Sequence, residues 1–125
     1  MRLSVLVIVS TIACHIATAH AQEATGPYRA GYLRDACNAL ALTQGTSSEA
    51  SGIAMAEGLC GGAISTVMRL GPKMNEQFRF CPPPAATPQQ IIPIVVKFID
   101  DNPKALNLDI RDVANYVGRL TWPCR

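Results

Sequence analysis

The sequence predicts an all-α domain, a small disulfide-stapled bundle of about four helices with one long ordered loop. Four segments place apolar residues three and four positions apart, which is the spacing of one buried helix face. No segment shows the alternation of apolar and polar residues that is typical of a strand. Four cysteines follow an N-terminal segment that resembles an export signal, and cysteines in exported small domains usually form disulfides.

The first 21 residues have the features of a secretory signal peptide. Arg2 precedes an apolar run, and Ala19-His20-Ala21 supplies the small residues expected before a cleavage site. The apolar run is too short for a membrane-spanning helix, which needs about twenty residues. We expect cleavage after Ala21, export to the periplasm and a single domain formed by residues 22–125. Lipoprotein processing at Cys14 is the alternative.

Cleavage after Ala21 would remove both histidines of the chain, His15 and His20. Without an imidazole, Ser-His-Asp, Cys-His and histidine–metal sites are excluded. Asp100 and Asp101 are adjacent on a predicted helix and cannot converge on one substrate atom. We therefore predict that the protein is not an enzyme and has no cofactor and no metal site. A formal net charge of only +2 gives no basic patch for nucleic acid.

The first two helices are predicted at about residues 27–42 and 49–70. The apolar stripe of each includes one cysteine, Cys37 in the first and Cys60 in the second. The sequence "TQGTSS" separates them and offers Ser47 or Ser48 as N-cap of the second helix. Opposite its apolar stripe the second helix carries glycines, which cost roughly 1 kcal/mol each inside a helix. Either another backbone approaches closely there or the helix is locally weak, and we favour close packing, within the fold or with a partner. These glycines are Gly58, Gly61 and Gly62.

The third helix opens with "TPQQ", in which Thr87 is the N-cap, Pro88 the first helical residue and Gln90 the closing member of a capping box. Its apolar residues cover roughly 200° of the helix surface, so the helix must be central or must meet another molecule. The fourth helix starts near Asp109, a good N-cap, and ends at "WPCR". Ile110, Val113, Ala114, Val117 and Leu120 form its apolar face, opposite Arg111, Asp112, Asn115 and Arg119.

The connection over residues 71–86, "GPKMNEQFRFCPPPAA", is long for a small domain. Loops longer than about 12–15 residues are usually functional or disordered. Cys81 and three prolines restrain this one, which favours an ordered recognition loop. A plain connector whose Phe78 and Phe80 fill the core is an equally good interpretation. The partner-binding candidates are the loop residues Lys73, Met74, Glu76, Gln77 and Arg79.

Three disulfide pairings are open to the cysteines that remain after cleavage. Loop-closure entropy gives roughly 7 to 8 kcal/mol for each set, so energetics do not choose among them. Because Cys81 follows a turn back from the second helix, we favour a bond between Cys60 and Cys81. That pairing leaves Cys124 to tie the C-terminus to Cys37.

The motifs "YLRDAC", "CGGAISTV", "FCPPP", "QQIIPIVVKFIDDNPKAL" and "LTWPC" follow one another along residues 32–124. Their order and spacing resemble the Tai/Rap family of type VI secretion amidase immunity proteins. The resemblance implies a helical periplasmic protein that occludes the active site of a peptidoglycan amidase, and it also implies a homodimer. The alternative function is that of a small periplasmic stress protein or holdase, which would expose the apolar third helix at low pH.

Overall fold

A computed structural model describes residues 26–43 and 51–125, with the side chains of the second segment described from Ala54 onward. It contains four α-helices, α1 (Ala30–Leu42), α2 (Ser51–Leu70), α3 (Pro88–Asp101) and α4 (Ile110–Thr121). Short 3₁₀ helices, Gly71–Lys73 and Pro103–Asn107, follow α2 and α3. No strand occurs in these residues, and the predicted all-α class is confirmed. The expected signal peptide and the predicted cap at Ser47 or Ser48 lie outside the described residues.

The core lies between the facing apolar stripes of the four helices. α1 and α4 each pack against both α2 and α3, and α2 and α3 also touch each other. This arrangement gives every helix at least two neighbours against which its apolar face is buried. The largest fully buried side chains include Leu33, Ile64, Phe80, Ile91, Ile92, Ile99, Ile110 and Val113.

α3 contributes the widest apolar face to this core. Ile91, Ile92, Val95, Val96 and Ile99 are all buried, which confirms that the helix is central. Ile94 is 41% exposed and Phe98 is half-buried, so the predicted apolar surface extends beyond the buried part. A holdase would therefore have to open the core before it could offer the rest of this face to a client.

The N-terminal end of α1 differs from the prediction. The helix begins at Ala30 instead of residue 27, because the preceding residues pair with the start of α4. Ile110 N–H donates to Tyr28 O and Ala30 N–H donates to Leu108 O, both at 2.8 Å. Arg29 thus lies in an isolated bridge with Asp109, which ties the beginning of the described chain to the first residue of α4.

The predicted N-caps of α3 and α4 are confirmed. At the start of α3, Thr87 N–H donates to Gln90 Oε1 at 2.9 Å, as a capping box requires. At the start of α4, Asp109 Oδ1 accepts from Arg111 N–H at 2.8 Å. Pro93 lies on the exposed side of α3, where the missing backbone donor does not disturb the packing.

The glycines of α2 have different surroundings. A Cβ on Gly61 would lie 3.1 Å from Leu40 Cδ2, so α1 does approach this position closely. A Cβ on Gly58 or Gly62 would meet no atom within 4 Å. The expected close packing is therefore wrong for these two positions within the single chain. Both glycines line an open groove of about 270 Å³ beside Tyr28.

Two disulfides cross-link the described part of the bundle. The pairing favoured from the sequence, Cys60 with Cys81 and Cys37 with Cys124, is wrong. Cys37 bonds Cys60 with a Cα–Cα distance of 5.5 Å, and Cys81 bonds Cys124 with a Cα–Cα distance of 5.0 Å. The first bond joins α1 to α2 in the core, and the second joins the long loop to the C-terminus.

Helix packing explains this pairing. The apolar stripes of α1 and α2 face each other, which brings Cys37 and Cys60 together in the core. The prolines that follow Cys81 lie beside the C-terminal part of α2, but the loop does not bring Cys81 itself back to Cys60. It runs to the C-terminal end of α4, where Cys81 N–H donates to Trp122 O at 2.8 Å. This hydrogen bond places Cys81 next to the segment that carries Cys124.

A surface ion pair joins α1 to α3. Arg34 Nε and Nη2 donate to the two carboxylate oxygens of Asp100 at 2.8 and 3.0 Å. The hydrogen bonds from Arg34 lower the pKa of Asp100 from its ordinary value. Because both side chains are partly exposed, solvent and salt screen the pair, and we expect a modest contribution to stability.

The Arg34–Asp100 pair should contribute to stability only while Asp100 is charged. Its contribution is complete above the pKa of an unfolded aspartate, about 3.9, and is lost as the pH falls through the lower pKa of the folded state. We therefore expect Asp100→Asn to be less stable than the wild type at neutral pH. The difference should vanish at strongly acidic pH. Urea denaturation across the acid range measures this, with Arg34→Gln as the matched variant. A difference that does not change with pH would contradict the prediction.

Candidate functional site

The long loop is ordered because α4 holds it. Asn115, on the side of α4 that the sequence predicts to face solvent, is only 8% exposed. Its Nδ2 donates to Phe78 O at 2.8 Å and lies 3.3 Å from Met74 Sδ. The prediction for Asn115 is wrong because the loop covers this part of the polar face. A buried amide that binds a loop carbonyl fixes the path of the loop across the helix.

The two phenylalanines of the loop have different roles. Phe80 is completely buried, and its ring lies against Gly71 and Gly118 so closely that a Cβ on either glycine would overlap it. Phe78 is 44% exposed. The connector interpretation is thus correct for Phe80 and wrong for Phe78. The loop is anchored in the core by one ring and presents the other at the surface.

The partner-binding candidates of the loop are only partly brought together. Lys73, Glu76, Gln77 and Arg79 are exposed, whereas Met74 is half-buried beside Asn115. Glu76 and Arg79 line a groove of about 350 Å³ between the loop and the C-terminal half of α4. The other residues that line this groove are Tyr116, Arg119, Leu120, Pro123 and Cys124.

The groove residues from α4 were not predicted from the sequence. Leu120, assigned to the apolar face, is 62% exposed because the helix face turns outward near its C-terminal end. Tyr116 is 47% exposed. The signal that could have identified it is its position four residues after Asp112 and three before Arg119, which puts an aromatic ring on the polar face.

A second groove continues the first along α4. It has a volume of about 310 Å³ and shares Tyr116 with the first groove. The ring centroids of Tyr116 and Phe98 are 5.4 Å apart, within the range of favourable aromatic pairs. Leu108, 45% exposed, and Asp112 complete its outer side. We call the joined grooves the α4 surface, which comprises Glu76, Arg79, Phe98, Leu108, Asp112, Tyr116, Arg119 and Leu120.

The α4 surface has the composition of a protein interface. Aromatic, aliphatic and charged side chains line both of its grooves. Arg79, Arg119 and Glu76 line the first groove, and Asp112 lines the second. Protein interfaces are enriched in aromatic residues and arginine at their centres and are polar at their rims.

The described residues contain no arrangement that suggests catalysis at this surface. The two carboxyl groups whose pKa is lowered, Asp100 and Asp109, form pairs with Arg34 and Arg111, and hydrogen bonds from these arginines cause the shifts. No cluster of three or more His, Cys, Asp or Glu residues in the described ranges could hold a metal ion. None of the described helices is both long and apolar enough to cross a membrane.

A family model of Rap1a immunity proteins matches residues 29–124, which is most of the chain. The protein belongs to the Rap1a immunity protein family. The resemblance to the Tai/Rap family in the sequence motifs is therefore confirmed. The match includes all four helices, both disulfides and the whole α4 surface. Membership of an immunity family implies that the chain binds a toxin. Comparison with curated proteins and with solved structures found no match.

The Phe80 ring should be the main noncovalent anchor of the loop. We expect Phe80→Ala to lower the free energy of unfolding by about 3–5 kcal/mol, because it removes a fully buried ring and leaves a cavity. Phe78→Ala, two residues away and partly exposed, should cost less than about 1 kcal/mol. Urea denaturation of the two variants measures the difference. If Phe80→Ala does not fold, Phe80→Leu should still be destabilised more than Phe78→Leu. Equal losses for the two positions would contradict the assignment.

Proposed function

We propose that this protein is a periplasmic immunity protein that binds a type VI secreted peptidoglycan amidase and neutralises it by covering the active site. Family membership supports a toxin partner, and the Tai/Rap resemblance supports an amidase. Export by the N-terminal signal peptide, with cleavage after Ala21, places the domain where amidase toxins meet peptidoglycan. The periplasm is also an oxidising compartment, in which two disulfides persist.

We propose the α4 surface as the face that meets the toxin. The observation that carries this proposal is that the loop is fixed in place next to exposed aromatic and aliphatic residues of α4. Asn115, Phe80 and the Cys81–Cys124 bond all restrain the loop. A surface that is ordered before binding loses little conformational entropy when the complex forms, and this favours high affinity.

Tyr116 is the residue on which we expect binding to depend most. It lies at the junction of the two grooves, and nearly half of its side chain is exposed and free to be buried by a partner. Tyrosine and arginine are the residue types that most often dominate interface energetics. Arg79, Arg119 and Glu76 surround one groove and would fix the orientation of the toxin through charge complementarity. Such a protein inhibits by contact alone and needs no catalytic residue.

Truncation of Tyr116 should therefore weaken toxin binding strongly. We expect Tyr116→Ala to raise the Kd for the amidase by about 30-fold, which corresponds to roughly 2 kcal/mol. The matched control is Tyr32→Ala on α1, since Tyr32 is 54% exposed and lies outside the α4 surface. Calorimetric titration with a candidate peptidoglycan amidase from the same genome gives the two values.

The variants that bind the amidase more weakly should also inhibit its hydrolysis of peptidoglycan more weakly. Arg79→Glu should also weaken inhibition, because it reverses one charge at the edge of the groove. If Tyr32→Ala weakened binding and Tyr116→Ala did not, the toxin-binding face would lie elsewhere. If the wild type bound no peptidoglycan amidase from its own genome, the immunity proposal itself would be overturned.

We also propose that the protein forms a homodimer, as the Tai/Rap resemblance implies. The exposed side of α2 supports this proposal. Met55 is 60% exposed, and Gly58, Gly62 and Thr66 continue along the same side of the helix, where Arg111 of α4 borders the groove above the glycines. Because the two glycines leave open space above the helix, the backbone of a second copy could approach closely.

Alanine substitutions test the dimer at this face. In an isolated chain, Gly58→Ala and Gly62→Ala should each stabilise α2 by roughly 1 kcal/mol, because alanine favours helix over glycine. If a second copy packs there, the same substitutions should weaken association by obstructing its approach. Light scattering over a range of concentrations gives the dimer fraction, and urea denaturation of dilute protein gives the stability. A protein that stays monomeric at all concentrations would contradict the proposal.

A further inference from the structure

The two disulfides differ in their access to solvent. Cys37 and Cys60 are both 0% exposed within the core. Cys81 is exposed and Cys124 is half-buried at the edge of the groove between the loop and α4. Exchange requires a thiolate to reach one sulfur of the bond. A reductant can therefore reach the second disulfide while the bundle stays folded, and it can reach the first only if the core opens.

We propose that the Cys81–Cys124 bond is a site of thiol–disulfide exchange with a dithiol reductant, and that its reduction loosens the C-terminal edge of the α4 surface. The Cys37–Cys60 bond remains intact in this step and keeps α1 and α2 together. The exchange site is independent of the toxin. Only the consequence for toxin binding rests on the proposed immunity function.

The chemistry at this bond follows from its surroundings. One thiolate of the reductant attacks Sγ of the exposed Cys81, forms a mixed disulfide with it and displaces Cys124 as a thiolate. Arg79 and Arg119 line the same groove as Cys124 together with one carboxylate, Glu76, so the charge around the groove is positive on balance and favours a thiolate leaving group. The second thiol of the reductant then attacks the reductant sulfur that is bonded to Cys81. This closes a disulfide within the reductant and releases Cys81 as a thiol. Two electrons pass from the dithiol, which becomes a disulfide, to the protein, which gains two thiols.

Trp122 holds the C-terminal segment as far as its own position, because its partly buried ring packs against the core. Trp122 O accepts from Cys81 N–H at 2.8 Å, and Trp122 N–H donates to Gly118 O at the end of α4. Beyond Trp122, the last three residues depend on the disulfide. The loop keeps its anchors at Asn115 and Phe80 after reduction. The change should therefore be confined to Arg79, Cys81 and the C-terminal segment, without loss of the helical core.

Graded reduction of the oxidised mature protein tests the exchange site without any toxin. Dithiothreitol is the probe, and alkylation followed by peptide mapping gives the extent of reduction at each cysteine. We expect Cys81 and Cys124 to be labelled at least about tenfold faster than Cys37 and Cys60. The circular dichroism signal of the helices should persist while Cys81 and Cys124 are reduced. The fluorescence of Trp122, the single tryptophan of the chain, should change together with the labelling.

Several results would overturn this proposal. Labelling of all four cysteines at one rate, or loss of helical signal together with the first bond, would show that reduction requires global unfolding. Selective labelling with unchanged amide hydrogen exchange at Cys124 and Arg125 would show that the C-terminus is not released. Arg119→Gln should slow the first step by about twofold, because it removes charge beside the leaving thiolate. Lys104→Gln, a matched loss of charge in the 3₁₀ helix after α3, should leave the rate unchanged.

A second experiment measures binding to the amidase toxin. The reduced wild type and the double variant Cys81→Ser/Cys124→Ser should lose amidase affinity by the same factor. Equal affinity in the oxidised and reduced forms would overturn the loosening of the binding surface. If neither form bound an amidase, the immunity proposal alone would fail, because selective labelling would still establish the exchange site.

Discussion

Burial of the Phe80 ring against Gly71 and Gly118 determines the form of the exposed surface. The ring occupies a position that only two glycines leave open, one directly after α2 and one near the end of α4. This contact draws the loop across α4 and places Cys81 beside Trp122, where the disulfide to Cys124 can form. The connection between α2 and α3 thereby becomes a fixed border of the α4 surface.

α4 is restrained at both ends, which suits a helix that carries a binding surface. Its first residue pairs with Tyr28, and its N-cap Asp109 also binds the guanidinium of Arg111. That guanidinium lies 4.4 Å from the centre of the Tyr28 ring, a favourable cation–π distance. Its last residues are held by the loop through the Cys81–Cys124 bond. Side chains on such a helix are already positioned when a partner arrives, as a tight inhibitory complex requires.

Features that depend on neighbouring residues in the chain could be predicted from the sequence. The capping box of Thr87 and Gln90, the cap at Asp109 and the central position of α3 follow from local pattern and are confirmed. Features that depend on how distant segments meet could not be predicted in this way. The polar pattern placed Asn115 in solvent because the sequence does not show that the loop covers it. The disulfide pairing was open because loop closure gives similar entropies for all three sets.

Of the candidate site, too, the part within one segment could be predicted and the part formed by several segments could not. The length and composition of the loop drew attention to Glu76 and Arg79, which do line the groove. Tyr116 was missed because its importance comes from its place between two grooves, which exists only after the loop, α3 and α4 have packed. Family membership supplies the toxin partner, whereas the position of the surface comes from the packing of the loop on α4.

Amide hydrogen exchange of the oxidised protein, with and without a bound amidase, tests the central claim most directly. The account predicts that the toxin adds protection mainly at residues 76–81 and 116–121, the two segments that border the first groove. Strong new protection confined to α1, with these two segments unchanged, would contradict it.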